Sequence, residues 1–107
     1  MKTGIELIAE ERAEQVTKHH INTGMDVLHN NHYQLSQGAS LLCYIDEEEV
    51  AGEAKEDDTF EFSGCAPGDW DISIWNRMMN KPYKERLIIA GALIAAEIDR
   101  LQALTND

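Results

Sequence analysis

The sequence predicts a mainly α-helical fold: one small domain over residues 1–107, with three principal helices, a short Trp-bearing helix and a long acidic loop. The first reason is the run from Leu87 to Ala96, which has no polar side chain and is far shorter than the ~20 apolar residues of a membrane-spanning helix. The second is an amphipathic N-terminal segment, and the third is a length typical of one domain. Because a helix that is apolar nearly all round must be covered on several sides, the rest of the chain should wrap this one.

The first and last helices have clear boundaries in the sequence. Thr3 and Glu6 have the spacing of a capping box, and the helix that follows should run to about Lys18 or His20. The apolar positions at helical spacing, expected to form one core-facing stripe, are Ile5, Ile8, Ala9, Ala13 and Val16. Pro82 suits the first turn of the central helix, which should end near Leu104.

The middle of the chain predicts shorter elements. Residues 25–34 are polar and rich in histidine without a clean period, and we interpret them as a loop with room for one helical turn. A helix should follow at about 35–44, with its core side formed by Leu35, Ala39, Leu42 and Cys43. We predict that residues 46–69 form an acidic, turn-rich loop with a short strand at 59–62. The Trp-bearing helix should begin near Asp71.

Charge is distributed unevenly along the chain. It has 9 basic and 20 acidic residues and a net charge of −11, of which residues 46–62 alone contribute −8 through nine acids and one base. Because duplex binding needs clustered Lys and Arg, this balance argues against direct nucleic-acid binding. An acidic surface can instead attract a basic protein.

The N-terminus leads directly into Glu-rich helical sequence, so we expect neither a secretory signal nor a membrane segment. The cytoplasm is the expected compartment, with Cys43 and Cys65 as reduced thiols. We expect no cofactor.

Histidines and paired carboxylates are the first candidates for chemistry. His29 and His32 lie close to Asp26 in sequence, and imidazoles with a carboxylate can bind zinc. A polar connecting loop explains the same residues more simply, so they are weak candidates as metal ligands. Glu11 and Glu14 have the helical ExxE spacing of magnesium-dependent nucleotide pyrophosphatases, but the second acidic motif of those enzymes is missing here.

Glu97 interrupts the apolar face of the central helix. A carboxylate buried there needs a partner, because an isolated buried charge is strongly unfavourable. We expect an ion pair between Arg12 and Glu97, with Asp99 or Arg100 nearby; the alternative is that Glu97 faces a ligand.

Aromatic and basic residues meet at the start of the central helix. Trp70 and Trp75 could stack on a base, and the cations beside them could bind an anion at the helix N-terminus. The predicted ligand-binding set is Arg12, Trp70, Trp75, Lys81, Lys84 and Arg86. The alternatives are an aromatic satellite core and pairing of the cations with the acidic loop.

Three segments together resemble a known family. They are Ile5-Glu-Leu-Ile-Ala-Glu-Glu-Arg12 with Gln15-Val16, the Trp70-Asp71 and Trp75 pair, and the helix ending in Ala96-Glu-Ile-Asp-Arg-Leu101. They resemble small uncharacterised proteins from phages and mobile elements of gut Bacteroidetes, and more distantly the RyR domain, a small helical module. The loops that would shape a pocket differ, for instance at Asn22-Thr23-Gly24 and Gly68-Asp69.

This resemblance implies a phage accessory protein in the cytoplasm of a bacterial host. The first hypothesis is a non-enzymatic module that sequesters a nucleotide signal of host immunity. The alternative is an acidic mimic of nucleic acid that inhibits a host defence nuclease, with a partner-binding set of Glu47, Glu48, Glu49, Glu53, Glu56, Asp57 and Asp58. A metal-dependent nucleotide pyrophosphohydrolase is the third. A homodimer is compatible with any of them.

Overall fold

The computed structural model describes residues 1–18, 23–44, 53–54 and 60–105, and these form a mainly α-helical domain. The elements are α1 (Gly4–Lys18), α2 (Thr23–His29), α3 (Gln34–Leu42), β1 (Glu53–Ala54), β2 (Phe60–Glu61), a 3₁₀ turn (Ser63–Cys65), α4 (Ile72–Met79) and α5 (Tyr83–Thr105). The predicted fold class is confirmed. No helix in the described ranges is long and apolar enough to cross a bilayer.

The central helix α5 is the element on which α1, α2 and α3 pack, and α4 also contacts it. One side of α5 meets an apolar cluster from α3, α4 and the chain before the 3₁₀ turn. Its largest members are Leu35, Leu42, Phe62, Trp75, Met79, Ile89 and Leu93. β1 and β2 pair antiparallel, with Glu53 opposite Glu61 and Ala54 opposite Phe60.

Local hydrogen bonds explain where two helices begin. At α1, the Thr3 hydroxyl accepts from the Glu6 amide at 3.2 Å, and the Glu6 carboxylate accepts from the Thr3 amide at 3.1 Å. The predicted capping box is therefore confirmed. At α4, the Asp71 carboxylate accepts from the amides of Ser73 and Ile74 at 2.9 and 3.1 Å, which satisfies two amides of the first turn.

Three predictions were wrong, one about secondary structure and two about which side chains face the core. Residues 23–29 form a seven-residue helix, whereas a loop with room for one helical turn was predicted for 25–34, because packing on α5 stabilises a segment that shows no clean period of its own. Most of the predicted α1 stripe is turned outward: Ile5 is 83 % exposed, Ala9, Ala13 and Val16 are exposed as well, and of the stripe only Ile8 is partly buried. The buried residue of α1 is Gln15, and Cys43 of the second predicted helix is also exposed.

The contact between α1 and α5 explains that rotation. A Cβ at Gly91 of α5 would lie 2.6 Å from Ile8, so the missing side chain lets Ile8 approach the α5 backbone. The edge of α1 that follows Ile8, at Arg12 and Gln15, then faces the interior. Ile94 and Ile98, further along the same side of α5 as Gly91, stay about half exposed, so α5 is covered less completely than the sequence predicts.

Candidate functional site

A cavity of about 980 Å³ lies between α1, α2, α4 and α5. Its volume is near the upper end of the range for small-molecule sites, which is roughly 300–1,000 Å³. Segments 30–32 and 69–71 complete its walls.

Two indoles form one wall of the cavity. Trp70 and Trp75 meet edge to face, with ring centroids 5.8 Å apart and an interplanar angle of 70°. Trp75 is fully buried and donates its indole N–H to the Phe62 carbonyl at 3.0 Å. Trp70 is partly exposed and donates to Asn30 Oδ1 at 2.7 Å. Both rings are therefore fixed by a hydrogen bond as well as by their mutual contact.

The absence of a side chain at Gly38 of α3 makes room for the Trp70 ring. A Cβ at Gly38 would lie 2.7 Å from the outer edge of the Trp70 ring. Only a residue without a side chain leaves room for the indole at this distance.

Asp26 links the indole wall to the interior. Asn30 donates its side-chain amide to Asp26 Oδ1 at 2.8 Å, so Trp70, Asn30 and Asp26 form one hydrogen-bonded chain. Asp26 is fully buried, and its Oδ2 has no hydrogen-bond partner. The nearest paired cation, Arg12, has its Nη2 at 4.0 Å from Oδ2, beyond hydrogen-bond distance. Burial raises the pKa of Asp26 above its ordinary value, and the hydrogen bond from Asn30 opposes that rise.

Asp26 belongs to a group of polar residues that we call the polar corner. Its buried members are Gln15, Asp26, Glu97 and Arg100, and Arg12 beside them is partly buried. Glu97 pairs with Arg100 one turn along its own helix, with Oε2 and Nη2 3.2 Å apart. Arg12 pairs with Asp99 at 3.5 Å. The expected partner of Glu97 was Arg12, so the prediction of a buried pair holds while the partner is corrected, because the (i, i+3) spacing brings Arg100 to the same face.

The predicted ligand-binding residues do not all lie at one site. Trp70, Trp75 and Lys81 line the cavity. Lys84 lines a separate, apolar groove of about 320 Å³ formed by the N-terminal segment, α1 and α5. Arg12 lies behind the cavity, next to Asp26.

Arg86 has a structural position. It is 1 % exposed and donates to the carbonyls of Lys81, Leu42 and Tyr44, which ties the end of α3 to the start of α5. Its guanidinium also lies 5.5 Å from the centroid of the Tyr83 ring.

Of the candidate metal-binding histidines and partner-binding acids, the structure describes only some. His29 and His32 are exposed and line the cavity. Among the residues that the structure describes, no group of three His, Cys, Asp or Glu side chains could hold a metal ion. The proposed partner-binding acids Glu47, Glu48, Glu49, Glu56, Asp57 and Asp58 lie outside the described residues, and of Glu53 only the backbone is described.

Charges around the cavity are mixed. The acidic lining residues are Glu11, Glu14, Asp26, Asp69, Asp71 and Glu85. The basic ones are Arg77 and Lys81. A ligand with many negative charges is therefore disfavoured, whereas one anionic group can be held by the two cations.

Sequence reasoning did not single out Gln15, Asn30 and Arg77 as part of the site, and it considered Asp26 only as a metal ligand. Asp26 and Asn30 have the (i, i+4) spacing at which helical side chains meet, and this was the one available signal. It could be read only after residues 23–29 were known to be helical. The comparisons with known proteins add no constraint: no protein-family model, no curated protein and no solved structure matches this chain.

Proposed function

We propose that this protein is a non-catalytic receptor for one small ring-bearing ligand, a nucleoside or nucleotide, bound in the cavity of about 980 Å³. The observation that carries the proposal is a fixed indole on the cavity wall: Trp70 is partly exposed, donates a hydrogen bond to Asn30 and packs edge to face on the buried Trp75. A preorganised aromatic surface can stack on a base without losing conformational freedom on binding.

The cavity charges refine the kind of nucleotide. Arg77 and Lys81 can hold one phosphate through charge-assisted hydrogen bonds. The six carboxyl groups that share the lining would repel further phosphates. We therefore propose a nucleoside, a monophosphate or a cyclic nucleotide as the ligand rather than a triphosphate.

The biological role that fits such a receptor is sequestration of a nucleotide signal. The resemblance to small phage proteins supports a role against host immunity, in the cytoplasm of the bacterial host. No bond of the ligand needs to be broken for this role, since binding alone removes the signal.

Calorimetric titration with a panel of ligands tests the proposal. The panel contains nucleosides, mononucleotides, cyclic nucleotides, ADP-ribose and ATP, with spermidine as a ring-free cation. We expect at least one ring-bearing member to bind and ATP to bind less tightly than the matching monophosphate. Trp70→Leu should weaken binding, whereas Tyr83→Leu, an exposed aromatic on α5, should leave it unchanged. Absence of heat with every nucleoside and nucleotide, or tighter binding of spermidine than of any of them, would contradict the proposal.

A second candidate rests on charge. Residues 46–62 carry a net charge of −8, which suits an inhibitor that occupies the basic cleft of a host nuclease. Glu61 should be kept in any test, because its carboxylate accepts from Asn76 at 2.7 Å and from the Ser63 amide at 3.0 Å.

The test of this candidate neutralises acids without shortening the chain. A variant with Glu→Gln and Asp→Asn at the proposed partner-binding set should lose inhibition of a defence nuclease while it keeps its helical circular dichroism. Retained inhibition by the folded variant would exclude the mimic.

A further inference from the structure

Two residues of the cavity lining each have a buried acceptor atom without a hydrogen-bond partner. Among the described residues, the buried side-chain polar atoms without a hydrogen bond are Gln15 Oε1 and Asp26 Oδ2. Both residues line the cavity. Both atoms accept hydrogen bonds, and no unpartnered donor accompanies them. Because buried polar groups are almost always hydrogen-bonded in folded proteins, two acceptors in one cavity indicate a missing donor.

The neighbouring cations do not supply that donor. Arg100 is engaged with Glu97 on α5, through Nε and Nη2. Arg12 pairs with Asp99 at 3.5 Å, and its Nη2 is 4.0 Å from Asp26 Oδ2. Rotation of the Asp26 carboxylate would not give both oxygens a partner, because Oδ1 already accepts a hydrogen bond from Asn30. Asn30 is in turn fixed by the hydrogen bond that it accepts from Trp70.

We infer that Asp26 and Gln15 recognise the donor edge of the ligand, and that the ligand is a guanine nucleoside or nucleotide. Guanine offers two adjacent donor groups, the ring N1–H and the 2-amino group, and so supplies a donor for each of two acceptors that no buried unpartnered donor of the described residues accompanies. Adenine and cytosine place an acceptor beside their amino group, and hypoxanthine lacks the 2-amino group. The inference depends on the proposed function, because it names the base that stacks on Trp70.

The hydrogen bonds from Trp70 through Asn30 to Asp26 would couple recognition of the base edge to stacking of the base. Trp70 donates to Asn30, and Asn30 donates to the Asp26 oxygen that the ligand does not use. The indole that contacts the base therefore also orients the carboxylate that reads its edge. Stacking and edge recognition should weaken together when Asn30 is replaced by Leu.

Calorimetry with GMP and IMP tests the inference, because these probes differ only in the 2-amino group. We expect the protein to bind GMP about tenfold more tightly than IMP, which corresponds to one well-formed hydrogen bond to a charged group. Asp26→Asn replaces the unpartnered acceptor by a donor of the same size and should remove this preference. Asp69→Asn removes the same charge from an exposed position in the same cavity and should keep it.

A second variant tests the inference independently in case Asp26→Asn does not fold. Gln15→Met removes the other acceptor at similar volume and should reduce the ratio of GMP to IMP affinity in a protein with native circular dichroism. Equal binding of GMP and IMP, or binding of other nucleotides but not GMP, would overturn the inference while the receptor stands. Failure of every nucleoside and nucleotide to bind would overturn the receptor itself.

Discussion

The buried face of α5 is apolar from Ile89 to Ala96, the region we call the apolar side, whereas further along the same face, at Glu97 and Arg100, the chain buries charges. The apolar side consists of large side chains from α3, α4 and Phe62, several of them completely inaccessible. The polar corner of α1, α2 and α5 buries Gln15, Asp26, Glu97 and Arg100 almost as completely. Burial of apolar surface stabilises a fold directly, while buried charges stabilise it little or not at all unless every group is satisfied.

The two regions also differ in how completely their polar groups are hydrogen-bonded. The apolar side has its hydrogen bonds made: Trp75 donates to Phe62, and Asn80 bonds both the amide and the carbonyl of Phe60. The polar corner retains two unpartnered acceptors. Sites that bind ligands commonly keep such unfavourable groups, because the ligand satisfies them.

The largest effect is expected on the apolar side. Trp75→Ala should lower the free energy of unfolding by about 3–5 kcal/mol, because it removes a fully buried indole and leaves a cavity. Ile74→Ala, its exposed neighbour on α4, is the control and should change stability far less. Urea unfolding followed by circular dichroism measures both. A Trp75→Ala loss no greater than that of Ile74→Ala would contradict the assignment of this side as the main source of stability.

The ion pair of the polar corner should respond differently to single and double replacement. Arg100→Met leaves Glu97 buried without its partner and should cost about 3 kcal/mol. The double variant Glu97→Leu with Arg100→Met removes both charges and should recover most of that loss. Urea unfolding of the three proteins gives the coupling between the two positions.

An exposed pair in α1 serves as the control for this cycle. Lys18 and Glu14 lie 3.4 Å apart on the surface, and Lys18→Met should change stability by less than about 0.5 kcal/mol. If the double variant at positions 97 and 100 is as unstable as Arg100→Met alone, the charges contribute to stability themselves and the proposed contrast is wrong.

A smaller effect is expected where the two sides meet, at Gly38. Gly38→Ala brings a methyl group against the Trp70 ring and should cost about 1–3 kcal/mol through overpacking. Gly68→Ala, with no atom within 4 Å of the added Cβ, is the matched control and should be close to neutral. Unfolding midpoints measure the change, and a shift in tryptophan emission should accompany it only at position 38. A stabilised Gly38→Ala protein would show that Trp70 is free to move.

The sequence predicted those elements whose signals are local. The capping box at Thr3, the short helix after Asp71 and the long α5 all depend on neighbouring residues, and all three are present. It failed for α2, which is short and depends on packing against α5. For α1 it was right about Ile8, which packs against Gly91, and wrong about the other four residues of the apolar stripe, because the helix turns Gln15 inward instead.

The candidate site was predictable to a lesser degree for the same reason. Trp70, Trp75 and Lys81 are near one another in sequence, and they do line one cavity. Arg86 has the same sequence context, but its guanidinium is used for backbone carbonyls of α3, a partner more than 40 residues away. The polar corner joins α1, α2 and α5, so only the tertiary structure shows that Gln15 and Asp26 belong together.

The smallest expected effect concerns the pH dependence of stability. Burial raises the pKa of Asp26 in the folded state above its ordinary value of 3.8, so the unfolded chain releases this proton first as pH rises. Stability of the wild type relative to Asp26→Asn should therefore fall as pH increases from about 3.8 and then level off above the raised pKa. Asp71 is the control of opposite sign, because hydrogen bonds from Ser73 and Ile74 lower its pKa. Its contribution should be present above its unfolded pKa and disappear as pH falls through the lowered one, relative to Asp71→Asn. Urea unfolding of the three proteins at several pH values between 3 and 7 gives both differences. If the Asp26 difference rises with pH, as the Asp71 difference should, Asp26 ionises more easily in the folded protein than in the unfolded chain and its assignment as a buried, destabilised carboxylate is wrong.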